Sequence, residues 1–165
     1  MRNTSLCYIE NNGKYLMLHR VKKAVDENKD KWIGIGGKFE EGESPEDCTL
    51  REVFEETGLR LNHLHFRGIV TFVSDEWGTE YMHLFTSSVS AEEAASILSG
   101  GRMPECDEGT LEWVDIQKIP ELPIWEGDRI FLGLLRRDAP YFRLRLEYRG
   151  ESLKRAILNG EDIKL

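Results

Sequence analysis

Residues 37–59, GKFEEGESPEDCTLREVFEETGL, place four of their seven glutamates and their one arginine at fixed spacings between two glycines. The glycines are Gly37 and Gly58, and the charged positions between them are Glu43, Arg51, Glu52, Glu55 and Glu56. Grouped carboxylates suit a divalent cation, and a glycine-rich turn lets a ligand approach the backbone closely. The segment therefore predicts a metal-dependent site for a diphosphate.

The middle of this segment has the start and stop signals of an α-helix. Ser44 can cap the first turn, Pro45 suits the first helical position, and Asp47 lies where a capping box needs an acid. Gly58 supplies the left-handed residue that commonly ends a helix. We therefore expect a helix that begins at Pro45 and ends before Gly58.

Helical spacing places Glu52, Glu55 and Glu56 on one stripe. A second stripe, which we expect to be buried, contains Leu50, Val53, Phe54 and Thr57. Three glutamates alone are more often a solvated helix face, but the complete pattern favours a bound cation that offsets their mutual repulsion. Oxygen ligands without nearby histidine or thiolate favour Mg2+, with Mn2+ as a substitute, over zinc or copper.

Two further features complete this predicted site. The run from Gly34 to Lys38, GIGGK, is compatible with a strand and loop that lead into the helix and let the backbone approach a ligand. Arg51 lies off the acidic stripe, and we expect it to pair with Glu43 and to orient the loop against the helix.

Composition predicts one globular domain, residues 1–165, because 165 residues that are 40% hydrophobic can bury a sizeable core. The net charge of -8 disfavours nucleic acid polymers and anionic membranes as partners. An anionic small molecule would therefore have to be bound by metal ions and a few local cations.

The three cysteines, Cys7, Cys48 and Cys106, are odd in number and lack the spacing of a zinc site. They indicate reduced thiols and a cytoplasmic protein. Cys48 lies on the stripe of Glu52, but neighbouring carboxylates raise the pKa of a thiol, which disfavours a nucleophile. No stretch approaches the roughly 18 apolar residues of a membrane span, and the N-terminus lacks a signal-peptide pattern. We therefore expect a protein that neither spans a membrane nor is secreted.

Elsewhere the chain alternates predicted strands with two more predicted helices. The predicted strands are 4–10 and 14–19, joined as a hairpin by Asn11-Asn12-Gly13, then 66–74, 81–89, 111–114 and a last strand at 141–148. The predicted helices are 91–98, ended by Gly100 and Gly101, and 125–137, starting near Glu126. Residues 21–31 are expected to form a surface loop. This order predicts an α/β fold with a mixed sheet between helices.

On these motifs the chain resembles the Nudix hydrolases, and within them the MutT-like group that hydrolyses oxidised purine nucleoside triphosphates such as 8-oxo-dGTP. Residues 37–59 match the complete Nudix box. The resemblance continues through 32–38 (WIGIGGK), 108–114 (EGTLEWV), 125–128 (WEGD) and 141–148. It implies the Nudix α/β/α sandwich.

By position, the resemblance implies five metal ligands: the backbone carbonyl of Gly37 and the carboxylates of Glu52, Glu55, Glu56 and Glu108. It also implies that Trp125 stacks on the base and that Asp128 accepts a hydrogen bond from it, although a tryptophan at such a corner is as often part of the core. Two positions depart from the animal members, which have asparagine at Ile33 and paired aspartates at Gly127-Asp128. The segment 90–102 is also longer than in compact relatives, and no function for it follows from the sequence.

The resulting hypothesis is Mg2+-dependent hydrolysis of a nucleoside triphosphate to the monophosphate and pyrophosphate, a step in sanitising the nucleotide pool for DNA repair. Glu52 and Glu55 are joint candidates for the general base, Arg51 has an orienting role through Glu43, and Arg20 and Lys38 are expected to reach the phosphates. Two alternatives remain: a Nudix hydrolase for ADP-ribose, a dinucleoside polyphosphate or ordinary dNTPs, and a nucleotide-sensing domain without catalysis. The sequence is compatible with a monomer or a homodimer.

Overall fold

A computed structural model describes residues 1–98 and 101–165 of the chain. The α-helices in these residues are α1 (Pro45–Thr57), α2 (Ala91–Ser96) and α3 (Asp128–Arg136), and a 3-10 helix spans Ile116–Glu121. The strands are β1 (Arg2–Asn11), β2 (Lys14–His19), β3 (Trp32–Ile33), β4 (Ile35–Lys38), β5 (His65–Ser74), β6 (Gly78–Ser88), β7 (Thr110–Asp115), β8 (Phe142–Arg149), β9 (Ser152–Leu158) and β10 (Glu161–Ile163).

All of these strands join one mixed sheet in the order β10-β9-β8-β5-β6-β1-β2-β3, with β4 on β1 and β7 on β2. The pairs β1 with β6 and β5 with β8 are parallel, whereas the other pairs are antiparallel. Along its other edge, β1 pairs with β4 from Thr4 to Cys7 and with β2 at Glu10 and Asn11. The glycine-rich β4 is thereby held directly beside β1 and against α1.

Alternation along β1 separates two hydrophobic cores. Leu6 and Tyr8 contribute to the core that includes the apolar side of α3, whereas Cys7 and Ile9 contribute to the core that includes residues of α1 and α2. Successive side chains of a strand point to opposite faces, so the sheet lies between the helices. The predicted α/β class with a mixed sheet is confirmed.

Local signals predicted the first hairpin and the first helix correctly, but three predictions at the C-terminal side were wrong. Strand β8 is not the last, because β9 and β10 follow it. The missed signal is Asn159-Gly160, an Asn-Gly pair in which both residues have positive φ, as a tight hairpin requires. Helix α3 begins at Asp128, since residues 125–127 form a turn, and α2 ends at Ser96, two residues early.

Of the two glycines expected to end α2, Gly100 lies outside the described residues and Gly101 has a positive φ of 76°. The three cysteines are free and buried. Among the described helices, none combines the length and apolar character needed to cross a lipid bilayer.

Candidate active site

Helix α1 is capped as its sequence predicts. The Asp47 backbone N–H donates to Ser44 Oγ at 3.1 Å, and the Ser44 backbone N–H donates to the Asp47 carboxylate at 3.0 Å. At the other end, Gly58 has a φ of 78° and its N–H donates to the Phe54 carbonyl at 2.8 Å. These local bonds fix where the helix starts and stops, and hence which way its side chains point.

The predicted buried stripe of α1 is wrong in part. Leu50 and Phe54 are 40% and 42% exposed, whereas Glu56 is only 8% exposed. The buried residues of the helix are Cys48, Thr49, Val53, Glu56 and Thr57. The helix is therefore turned so that Glu56 lies on the buried side with Val53 and Thr57, whereas Leu50, Phe54 and Glu55 are exposed.

Arg51 connects the loop to the acidic stripe. Its guanidinium donates to Glu43 at 2.7 Å, as predicted, and also to Glu52 at 2.8 Å and to Glu55 at 3.2 Å. Its other terminal nitrogen donates to the Lys38 carbonyl at 3.1 Å. The bond from Arg51 lowers the pKa of Glu43, which keeps this loop carboxylate ionised. The Arg51 guanidinium thus fixes the positions of β4, the loop and two glutamates of the helix relative to one another.

Glu56 is buried and incompletely satisfied. Within the described residues its Oε2 atom has no hydrogen-bond partner. Burial, followed by the negative charges of Glu108 and Glu52, raises the pKa of Glu56 to about 9. An unpaired carboxylate in such a place destabilises the fold unless it is protonated or meets a cation.

The glycines of β4 have different structural requirements. A Cβ atom at Gly36 would overlap the backbone carbonyl of Ser5 on β1. A Cβ atom at Gly37 would instead lie 2.6 Å from the carboxylate carbon of Glu52. Glycine at 36 is therefore needed for strand pairing, and glycine at 37 lets the Glu52 carboxylate lie against the backbone.

In the described part of the chain, no three Asp, Glu, His or Cys side chains are gathered closely enough to enclose a metal ion. Their own ion pairs explain this: Glu52 and Glu55 turn to Arg51, and Glu108 accepts from Arg20 at 2.7 Å. The residues nevertheless fit a divalent cation, because Glu56 has an orphaned buried oxygen and the Glu52 carboxylate already lies against the backbone at Gly37. All-oxygen donors suit a hard cation.

A cavity of about 580 Å³ brings the acidic helix together with the predicted base-binding corner. Eight of the ten predicted site residues line it: Arg20, Gly37, Lys38, Arg51, Glu52, Glu108, Trp125 and Asp128. The other two, Glu55 and Glu56, are not among its lining residues. The predicted phosphate and base residues, which are distant in sequence, therefore share one space.

The NUDIX domain family model matches residues 1–135 of this chain. The chain belongs to the Nudix family. An uncharacterised Nudix hydrolase of Bacillus subtilis, YvcI, is 27% identical over 137 residues, which cover 83% of this chain and 80% of that protein. An oxidized purine nucleoside triphosphate hydrolase of Danio rerio is 33% identical over 119 residues, covering 70% of each.

The crystal structure of a MutT protein from Bacillus halodurans has a TM-score of 0.78 to this chain at 22% identity, over 98% of this chain and 99% of that one. At this identity the likeness shows the fold. With the family match, the chain is a MutT-like Nudix hydrolase, and Nudix hydrolases generally use a divalent metal.

In this Nudix hydrolase, Trp125 is held rigidly at one end of the cavity. Its indole N–H donates to Asn28 Oδ1 at 2.9 Å. The rings of Phe72 and Tyr148 meet it edge-on at 5.8 and 5.0 Å, and the Lys31 ammonium lies 4.7 Å from its centre. Trp125 is therefore part of the core and also lines the cavity, and its stacking on a base stays a prediction.

Asp128, the first residue of α3, is 4% exposed and makes no hydrogen bond or ion pair with another described side chain. Burial, followed by the charge of Glu80, raises its pKa to about 8. At neutral pH the carboxyl group is therefore mostly protonated. Sequence reasoning assigned it only as an acceptor, but this group also has a proton to donate.

We expect Asp128→Asn to weaken the pH dependence of folding stability. Because the folded pKa lies above the unfolded value, the stabilisation is complete below about pH 4 and is lost as pH rises toward 8. The wild type should lose up to about 1.4 kcal/mol per pH unit from this group, and the amide should lose none. Urea unfolding between pH 4.5 and 8.5 measures this, with the exposed Asp107→Asn as control. Parallel curves for wild type and Asp128→Asn would refute the buried protonated carboxyl.

Several cavity residues were missed from the sequence. Arg2, Glu27, Phe72 and Glu80 line the cavity, although none belongs to a recognisable motif. Only Glu80 carries a usable signal: it is the acid in the alternating row that continues with Met82 and Leu84 on β6. An acid at a buried position of a strand is uncommon unless it has a function or a partner.

Proposed function

We propose that this Nudix hydrolase cleaves a nucleoside triphosphate, specifically an oxidised purine nucleotide such as 8-oxo-dGTP, to the monophosphate and pyrophosphate. The observation that carries the proposal is the single cavity with Glu52, Gly37 and Glu108 at its acidic end and Trp125 with Asp128 at its other end. Its charged end suits a triphosphate with its cations, and its aromatic end suits a base. The similarity to the oxidized purine nucleoside triphosphate hydrolase of Danio rerio supports the same substrate class.

The metal in this proposal is Mg2+, with Mn2+ as a substitute. The Gly37 carbonyl and the carboxylates of Glu52, Glu55, Glu56 and Glu108 would hold it. When bound, Mg2+ supplies neutralisation of phosphate charge and a lower pKa for water. The acidic chain, with its net charge of -8, could not bind a triphosphate well without such a cation.

The chain's own residues bind, orient and accept a proton. Arg20 and Lys38 line the cavity and donate to phosphate oxygens, and Arg20 leaves its bond to Glu108 to do so. Arg51 keeps Glu52 and Glu55 in place through bonds of 2.8 and 3.2 Å. One of these two carboxylates takes the proton of the attacking water on a side-chain oxygen.

At the other end, the indole of Trp125 provides an aromatic wall for the base. Asp128 donates its proton to a base acceptor or accepts from an N–H through its other oxygen. This ability both to donate and to accept suits an oxidised purine. The oxidised and parent bases differ in which of their ring nitrogens carry a hydrogen atom. On this proposal the protein sanitises the nucleotide pool in the cytoplasm.

A nucleotide panel tests the proposal. We expect kcat/KM with Mg2+ to be at least about tenfold higher for 8-oxo-dGTP than for dGTP, which corresponds to about 1.4 kcal/mol in transition-state binding. Pyrophosphate and monophosphate are measured for each nucleotide, with ADP-ribose and a dinucleoside polyphosphate included. Faster hydrolysis of ADP-ribose would reject the triphosphate assignment, and tight binding without product would indicate a sensor.

A further inference from the structure

Glu80 continues an apolar row of the sheet. On β6 it aligns with Met82 and Leu84, both of which are buried in the core beside α3. In register it lies next to Arg2 on β1 and next to Phe72 on β5. Paired residues on neighbouring strands share a face, and all three side chains line the cavity. A carboxyl group has therefore been placed where the pattern of the strand calls for an apolar side chain.

The nearby cation does not account for Glu80. The guanidinium of Arg2 gives its short bonds, at 2.8 and 3.2 Å, to Glu27 and stays 4.0 Å from Glu80. Glu27 also carries the same charge as Glu80, which reduces the benefit of the pair. Burial, followed by this charge, raises the pKa of Glu80 to about 7. The charges of Arg2 and Lys38 and a polar contact with the Thr4 side chain oppose this rise without cancelling it. A carboxylate has about four acceptor positions, so Glu80 still has capacity to accept hydrogen bonds.

A second carboxyl group faces the same space. Asp128 is more than nine-tenths buried, lines the cavity and makes no hydrogen bond to a described side chain. Glu80 is close enough to it that its charge acts on Asp128. When ionised, the Glu80 carboxylate beside the ring of Phe72 repels phosphate. Both acids have oxygens that can accept from N–H groups on a flat aromatic ligand stacked near Trp125. Buried polar groups left without partners by the fold are expected to be satisfied by a ligand.

We propose that Glu80 is a specificity-determining residue that accepts hydrogen bonds from the base edge, and that it makes the cavity prefer a 2-amino-6-oxopurine. This rests on the proposed function only in requiring that a nucleotide base enters this end. In a 2-amino-6-oxopurine, the ring N1–H and the 2-amino group are adjacent donors that match the two oxygens of a carboxylate. The same base without the 2-amino group offers one donor fewer. Adenine places a ring acceptor beside its amino group, and that lone pair repels the carboxylate.

The test is equilibrium binding of dGMP and dIMP, which differ only in the 2-amino group, by calorimetry on the full chain. We expect the wild type to bind dGMP at least tenfold more tightly than dIMP. Glu80→Gln keeps the size but replaces one acceptor oxygen with an amide donor, and should reduce this preference to about twofold or less. The exposed Glu76→Gln, on the preceding turn, should keep the wild-type preference. Thermal unfolding of each variant confirms that it is folded.

Three outcomes would overturn the inference: equal affinity of the wild type for both nucleotides, no measurable binding of dGMP, or a tenfold preference that survives in Glu80→Gln. If Glu80 served only to hold Arg2, Glu80→Gln would bind both nucleotides more weakly by the same factor and would have a lowered Tm. That result would also reject the specificity role. Because neither monophosphate is hydrolysed, the outcome is separate from catalysis. Preferential binding of dGMP without pyrophosphate release from any triphosphate would refute the proposed function and leave the role of Glu80 standing.

Discussion

Replacing Glu56 with glutamine is expected to lower kcat/KM for metal-dependent hydrolysis by about a thousandfold or more, which is about 4 kcal/mol, while the fold survives. The side chain is buried and its Oε2 atom lacks a partner among the described residues. Glutamine has nearly the same shape but no charge with which to hold a divalent cation. The loss should therefore fall on turnover and on metal affinity rather than on folding.

The same variant should also change how stability depends on pH and metal. The pKa of Glu56 is raised to about 9, so without metal this group costs increasing stability as pH rises from about 4.5 toward 9. Glu56→Gln removes that cost, and its Tm at pH 8 without metal should equal or exceed that of the wild type. The rise in Tm that Mg2+ produces in the wild type should be absent.

Steady-state kinetics and thermal unfolding, each with and without Mg2+, measure these effects. Glu46→Gln is the matched control, because Glu46 is an exposed glutamate in the first turn of the same helix. Its activity should stay within about twofold of the wild type. If Glu56→Gln retained a tenth or more of wild-type activity, Glu56 would not be a metal ligand.

A pair of alanine substitutions in β4 should separate catalysis from folding. In Gly37→Ala the new methyl group lies 2.6 Å from the Glu52 carboxylate, which is the far end of a flexible side chain and can move away. We expect kcat/KM to fall about a hundredfold, since a displacement of about 1 Å at a catalytic group has effects of this size. The free energy of unfolding should fall by about 1 kcal/mol or less.

Gly36→Ala should have the opposite profile. Its methyl group overlaps the Ser5 carbonyl, and backbone in the centre of the sheet cannot move without breaking strand pairing. We expect a loss of about 3 kcal/mol or more in the free energy of unfolding by urea denaturation, in line with other severe backbone strains. If Gly37→Ala were as destabilising as Gly36→Ala, or were fully active, the close approach of Glu52 to β4 would have no catalytic role.

Features set by neighbours in the chain could be predicted from the sequence. The caps of α1 are hydrogen bonds between Ser44 and Asp47 and between Gly58 and Phe54. Because these residues are three or four positions apart, their spacing in the sequence is enough to predict the caps. The pairing of Arg51 with Glu43 also follows from spacing, because a helix and a short loop fix the distance between them. The same patterns identified the family to which the chain belongs.

The rotation of α1 could not be predicted in this way. Leu50 and Phe54 are more hydrophobic than Glu56, yet they are exposed and Glu56 is buried. The side that α1 turns to the sheet depends on the position of β4, where Gly37 leaves room for a carboxylate. Packing between α1 and the sheet sets this orientation, and the hydrophobicity of the helix residues alone does not predict it.

By itself the sequence determined the helix, its acidic stripe and the pairing of Arg51, because those depend on residues a few positions apart. Only the tertiary structure decided which distant residues share the cavity. Arg2, Phe72 and Glu80 become neighbours through the parallel pairing of β1 with β6 and the antiparallel pairing of β6 with β5. The protonation of Asp128 likewise depends on burial and on the charge of Glu80, and both arise only when the sheet and α3 enclose it.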